Sequence, residues 1–409
     1  MGLTGEQGAQ GDQGPLGGAG LQGVQGEAGL AGGQGLQGEP GEGGAVERRG
    51  APADNVITTL DSEGIVGEYT SVTVGADGLG LISYYDSTNK DLKVAHCSDV
   101  ECTDATITTL DGIAIVGSYN SVALGADGLG LISYYDSTNR NLKVAHCSDV
   151  ECTDATITTL DSEDEVGRHS SVTVGADGLG LISYFDSTNG DLKVAHCTDV
   201  ECTEATISTV DDEGVVGRYT SATLGIDGLG LISYHGTSND ELRVAHCSDV
   251  ECTEATVSIL ASMGIVGEHA SLTIGADGLG LVSFYDTTNR DLRVAHCSDV
   301  KCTDATLTTL DSEGVVGRYT SVTIGPDGLG LISYLQDLNG DLRVAHCANT
   351  ACTDAVIATL DSEGDVGSYT AVTIGADGLG FISYYDSTNS ALKVAHCADV
   401  FCASYFRRR

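Results

Sequence analysis

The sequence predicts an all-β chain folded as a seven-bladed β-propeller, each blade a four-stranded antiparallel sheet. Two observations carry this expectation. The triad His96, Cys97 and Cys102 recurs at steps of 50 residues, through His146, Cys147 and Cys152 to His396, Cys397 and Cys402, so residues 51 to 400 are seven near-copies of one unit. Each copy holds short alternating or β-branched runs broken by Gly, Asp and Asn, without the three-and-four apolar spacing of a helical repeat.

The chain opens differently. From Gly2 to Gly44 every third residue is glycine, fifteen in unbroken register, and this pattern resembles collagen-like stalks. Three polyproline-II chains meet at an axis where only glycine fits, so the resemblance implies a homotrimer through residues 1–46. Only Pro15 and Pro40 lie inside the run, and a disordered Gly/Gln/Glu-rich segment is the alternative. Residues 47–55, with Arg48, Arg49, Gly50 and Pro52, follow neither pattern and read as a linker. Residues 56–406 form the propeller, and Arg407 to Arg409 a basic tail.

Within the first full copy the strand candidates are Tyr69 to Val74, Leu79 to Tyr85, Leu92 to Cys97 and Thr106 to Leu110. Gly75-Ala76-Asp77-Gly78, Ser87-Thr88-Asn89-Lys90 and Ser98-Asp99-Val100-Glu101 supply turn chemistry, so neighbouring strands are expected to be antiparallel hairpins. The phase of the repeat sharpens this. The chain enters the ring on a fourth-strand copy, Val56 to Leu60, and its last unit ends on a third-strand copy, Leu392 to Cys397. Strand 56–60 is therefore expected to complete the last blade and close the ring.

All fourteen cysteines lie in the repeats as C-x4-C, each pair flanking a four-residue hairpin loop. That geometry predicts seven local disulfides: Cys97–Cys102, Cys147–Cys152, Cys197–Cys202, Cys247–Cys252, Cys297–Cys302, Cys347–Cys352 and Cys397–Cys402. Such a framework persists in oxidising compartments, so the protein is expected to be secreted or displayed at the cell surface. No apolar run approaches 18 residues, so no membrane span is expected. Met1 is followed by the triplet run rather than by an export segment, so export is expected by another route or from a longer chain. Lys and Arg total 19 against 59 Asp and Glu, a formal charge of −40 that disfavours nucleic acid and anionic membranes as partners.

Three groups of residues invite a chemical reading. The H-C-x4-C triad offers soft ligands but lacks the fourth that structural zinc takes, and His96 reads as a packed imidazole bonded to backbone. Asp86, Thr88 and Asp91 offer oxygens to calcium without the spacing of a calcium loop, so a self-capped Asx turn is the simpler reading. No cofactor is expected. In copies four and six Gly236 and Gln336 replace the aspartate, leaving Asp86, Asp136, Asp186, Asp286 and Asp386 as equivalents. The most variable positions are the dipeptides before the first strand: Glu68-Tyr69, Ser118-Tyr119, Arg168-His169, Arg218-Tyr219, Glu268-His269, Arg318-Tyr319 and Ser368-Tyr369. First strands line a propeller's channel, so these residues are expected to ring its mouth as a ligand-binding site.

Copies such as Gly78-Leu79-Gly80-Leu81-Ile82-Ser83-Tyr84-Tyr85-Asp86-Ser87-Thr88-Asn89, followed by Asp91-Leu92-Lys93-Val94-Ala95-His96, resemble a propeller repeat of microbial extracellular proteins, some of them described as sialidase-like. A sialidase would carry an arginine triad, a Tyr nucleophile with a Glu partner, and S-x-D-x-G-x-T-W boxes. Trp is absent, and only Arg168, Arg218 and Arg318 with Tyr219 or Tyr319 echo such a site. The favoured expectation is a non-enzymatic binding or adhesion module that presents propeller heads multivalently to glycans or extracellular surface proteins. A structural component of an envelope, sheath or spore coat is the alternative, and a sialidase-like hydrolase a more distant one.

Overall fold

Turn-forming and β-branched residues alternate to give twenty-eight strands among the described residues, 54–403 of the computed structural model. The triplet region, residues 47–53 of the linker, residues 404–406 and the basic tail lie outside them. After β1 (Val56–Asp61), blade 1 is built from β2 (Val66–Val74), β3 (Gly80–Asp86), β4 (Asp91–Cys97) and β5 (Ala105–Asp111). The same unit repeats every 50 residues as far as β25 (Ala355–Asp361).

Six sheets are consecutive meanders, and the seventh has the order β1-β28-β27-β26, where β26, β27 and β28 span Val366–Ile374, Gly380–Asp386 and Ala391–His396. β1 pairs antiparallel with β28, Val56 opposite His396 and Thr59 opposite Lys393. The expected closure is thus present. It also reaches one residue further back, because Asn55, assigned to the linker from sequence, donates from Nδ2 to the Cys402 carbonyl at 3.0 Å and accepts from the Ala398 N–H at 2.8 Å.

Each first strand starts at its valine, three residues before the aromatic position expected to open it, and six of the seven outer strands run on to a buried aspartate such as Asp111. The second and third strands are almost wholly buried, and their side chains pack across blade junctions. One such slab joins Leu81, Leu92 and Val94 of blade 1 to Val116, Ile132, Tyr134 and Cys147 of blade 2. No blade buries its apolar face alone, which is why the repeat must close into a ring.

All seven expected disulfides are formed, with Cα separations of 4.7–4.9 Å. Their sulfurs are fully buried core members rather than surface staples. A Cβ on Gly130 would sit 2.8 Å from both Cys147 Sγ and Leu81 Cδ2, so a glycine opens the strand that each bridge packs on. The repeated histidine differs from its expected backbone partner. His96 Nε2 lies 2.9 Å from Asp77 Oδ2, and all seven copies keep such a pair within 3.0 Å. Asp77 caps its own turn through Oδ1, which accepts from the Leu79 N–H, and this aims Oδ2 at the imidazole.

Polar contacts across the junctions follow the same period. Asp161, at the end of blade 2, accepts from Tyr184 Oη and Lys193 Nζ of blade 3, each at 2.7 Å. At the junction of blades 4 and 5 all of this changes together. Ala261 and Phe284 replace the Asp and Tyr, and Arg293 turns to Asp286 at 3.1 Å. Nearer the axis, hydroxyls pair across junctions, as Thr70 Oγ1 with Ser383 Oγ at 2.8 Å and Thr320 Oγ1 with Ser283 Oγ at 2.9 Å. Ser233 Oγ is buried without a partner, because the facing residue is Ala270. Ala270→Thr is expected to raise stability by about 1 kcal/mol by completing that row. A denaturant midpoint no higher than wild type would contradict it.

Candidate functional site

Every first strand carries Val-Gly-x-Tyr or Val-Gly-x-His, and its pairing slips twice there: Val66 opposes Asp86, Glu68 opposes Tyr85, and regular pairing resumes at Ser71 opposite Ser83. Gly67 (φ 103°) permits the bulge, since a Cβ would lie 2.8 Å from Leu392 Cα of the preceding blade. The aromatic that follows is left-handed in all seven copies: Tyr69, Tyr119, His169, Tyr219, His269, Tyr319 and Tyr369 have φ of 53–55°. Such backbone costs about 1 kcal/mol or more at each non-glycine residue, and the bulge uses it to swing seven side chains toward the axis.

The seven rings meet. Neighbouring centroids are 4.5–4.7 Å apart around the full circuit, with Tyr369 returning to Tyr69 at 4.6 Å. Their interplanar angles of 44–58° bracket the rotation of about 51° between blades of a seven-fold ring. At this spacing the rings cannot lie face-on to the axis without clashing. They stand like turbine vanes, faces against neighbours and edges inward. A cavity of about 200 Å³ is lined by these aromatics alone. Another, of about 180 Å³, adds the row of Thr70, Asn120, Ser170, Thr220, Ala270, Thr320 and Thr370.

Enclosure in this ring sets its protonation. The His169 imidazole is pushed down to about 3 by burial and then by the Arg218 guanidinium, and His269 likewise by burial and Arg318. Both are neutral at pH 7. Tyr219 is pushed up to about 12 by burial and then by Glu268. Unfolded histidine titrates near 6.5, so between that value and about 3 the unfolded chain binds more protons than the ring does. The contribution is therefore complete above about pH 6.5 and falls as pH drops toward 3. Replacing both histidines with tyrosine, the residue of the other five blades, is expected to flatten Tm between pH 7 and 4. The difference should be on the order of 2 kcal/mol per histidine, since both side chains keep part of their surface exposed and solvent screens part of the shift. Parallel melting profiles for wild type and variant would contradict this.

The charged partners of the dipeptides are not gathered at one point. Arg168 Nη2 is 2.6 Å from Glu165 Oε1, its guanidinium 5.3 Å from the Tyr135 ring centre. Arg318 Nη1 is 2.8 Å from Asp337 Oδ2. Arg218 stacks 5.4 Å over Phe185 and has no acidic partner within 4 Å among the described residues. Glu68 accepts from the Ser87 hydroxyl, and Glu268 from Thr287 Oγ1 at 2.5 Å. Each of the three arginines is thus engaged locally, on blades 3, 4 and 6.

The Asp86 segment is a self-capped turn. Asp86 Oδ1 accepts from the Thr88 and Asn89 N–H groups at 3.0 and 2.9 Å, and Oδ2 from Asn89 Nδ2 at 2.9 Å. Among the described residues no three His, Cys, Asp or Glu side chains converge as a metal site.

No protein-family model matches the chain, and no curated protein matches it. Solved structures do. A protein of unknown function from Dyadobacter fermentans is 13% identical, with a TM-score of 0.53 over 85% of this chain and 98% of its own. Hydrazine synthase of Kuenenia stuttgartiensis is 11% identical, with a TM-score of 0.56 over 81% of this chain and 96% of its own. A leech intramolecular trans-sialidase, 13% identical, gives 0.45 over 82% of this chain and 68% of its own. At these identities the likeness to the first two establishes the propeller fold and nothing finer.

Two features of the mouth escaped sequence reasoning. The hydroxyl row beside the aromatics is one. The other is a cavity of about 480 Å³ between the first blades, bounded in part by Ser118 and Ser137. Each had a visible signal: Thr, Ser or Asn directly after six of the seven aromatics, and serine in blade 2 where blades 1 and 3 carry Glu68 and Arg168.

Proposed function

We propose that this protein is an extracellular, non-enzymatic binding module whose propeller head presents its channel-mouth face to glycans or surface proteins. One observation carries the reading. Scaffold positions recur nearly unchanged from blade to blade, whereas the residue before each ring aromatic runs Glu68, Ser118, Arg168, Arg218, Glu268, Arg318 and Ser368. A rim that varies on an otherwise repeated frame suits recognition of an asymmetric partner. Seven buried disulfides support an oxidising, non-cytosolic setting. No helix among the described residues is long and apolar enough to cross a membrane. The triplet region would trimerise the heads, so weak sites gain by avidity.

The test uses the full chain on an array of glycans and matrix proteins. Saturable binding is expected, weakened by Arg218→Glu, whose guanidinium has no acidic partner among the described residues. A blank array together with assembly into fibrils or sheets would favour a structural coat or envelope role, to which the closed, seven-fold stapled ring is also suited. Turnover of a fluorogenic sialoside, lost in Arg218→Ala, would overturn both readings.

A further inference from the structure

We propose that the cavity beside Ser118 is a pocket for a single neutral hexose unit, an assignment that rests on the glycan-binding reading above and gives it a place and a sugar class. In blades 1, 5 and 6 the residue before the ring aromatic reaches across to the loop that joins the second and third strands. Glu68 meets Ser87, Glu268 meets Thr287 and Arg318 meets Asp337. Blades 2 and 7 have serine at both positions; in blade 7 Ser387 Oγ donates to the Asp365 carbonyl at 2.9 Å, whereas in blade 2 the Ser118 and Ser137 hydroxyls lie 3.4 Å apart. Nothing larger fills the space, and about 480 Å³ stays open, within the range of small-ligand clefts.

The walls decide the ligand class. Half-buried Tyr85 offers aromatic surface for the C–H face of a pyranose, and its hydroxyl can both donate and accept. Glu68, Glu165, Arg140 and Arg168 supply two carboxylates and two guanidiniums at the same cavity. Vicinal sugar hydroxyls match such a mixed set, since each can donate to a carboxylate and accept from a guanidinium. Both guanidiniums already face Glu165, Arg168 at 2.6 Å and Arg140 at 3.8 Å. Glu68 and Glu165 balance the two guanidiniums, so the lining carries no net positive charge to draw in a carboxylated sugar, and a neutral hexose is preferred to a sialic acid.

Titration calorimetry on the full chain with a panel of neutral methyl hexopyranosides, and with N-acetylneuraminic acid as the charged control, tests this. At least one neutral hexoside is expected to bind saturably, and Ser118→Glu to weaken it by about tenfold or more. The variant is expected to fold, because Glu68 and Glu268 occupy the equivalent place in blades 1 and 5, and its Tm should stay within about 2 °C of wild type. Equal affinity in Ser118→Glu, or preference for the acidic sugar, overturns the assignment. If no hexoside binds while the chain still binds features of the array, the pocket falls and the binding-module reading stands. If nothing binds in either assay, both fall.

Discussion

Reducing the seven disulfides is expected to lower the Tm of the propeller by on the order of 20 °C, or to remove its cooperative transition altogether. Each bridge closes a short loop, and chain-entropy treatment gives about 2 kcal/mol for such a closure, or about 14 kcal/mol for all seven. That sum is comparable with the whole stability of an ordinary domain. Packing adds to it. The sulfurs are fully buried, and Cys147 Sγ fills the space above Gly130, so separated thiols would meet the glycine strand and the neighbouring leucine. Native-state reduction should be slow for the same reason, limited by opening of the blade rather than by thiol concentration. Calorimetry of the reduced chain, with fourteen free thiols confirmed by mass, checks the expectation. An unchanged transition would mean that junction packing alone holds the ring.

Asp161→Ala is expected to cost roughly 3–5 kcal/mol, the largest effect of any single substitution considered, because it strands two buried groups at once. Tyr184 is fully buried and Lys193 only 9% exposed, and both donate to the same Asp161 oxygen. Burial by itself would raise the pKa of this carboxyl, but bonds from Lys193, Tyr184 and the Glu163 N–H outweigh it and hold the pKa below the usual value. The protein contains its own control. At the junction of blades 4 and 5, Ala261 faces Phe284, and Arg293 pairs with Asp286 instead. The triple change Asp161→Ala, Tyr184→Phe and Lys193→Arg copies that junction and is expected to recover most of the loss, to within about 1 kcal/mol of wild type. Urea unfolding of the single and triple variants measures the coupling. Additive losses would show that the blade 4–5 junction is tolerated for some other reason.

Residues close in sequence were the readable ones. The strands of each copy, the disulfide across each four-residue loop and the Asx turn at Asp86 all arise from spacings within one copy. The closing strand was readable because the repeat starts and stops out of phase. The site was only half readable. Tyr69 and its six equivalents were identifiable as channel residues, yet their place inside the strand, in left-handed backbone and vane-like contact, depends on Gly67 touching Leu392 of the blade before. Partners such as Asp77 for His96, Glu165 for Arg168 and Asp161 for Lys193 were hidden too, because turn geometry or blade juxtaposition selects them from many acidic candidates.

The amino-acid sequence by itself determined the period, the number of blades, the bridges and the phase at which the ring closes, since each is set by local turn chemistry and strand alternation repeated at a fixed interval. Tertiary structure alone decided that seven aromatics meet at the axis, that the arginines are held on separate blades, and that a pair of serines leaves a cavity between charged neighbours. Those outcomes depend on the distance and rotation between consecutive blades, which close packing of the assembled ring imposes and which no single repeat encodes.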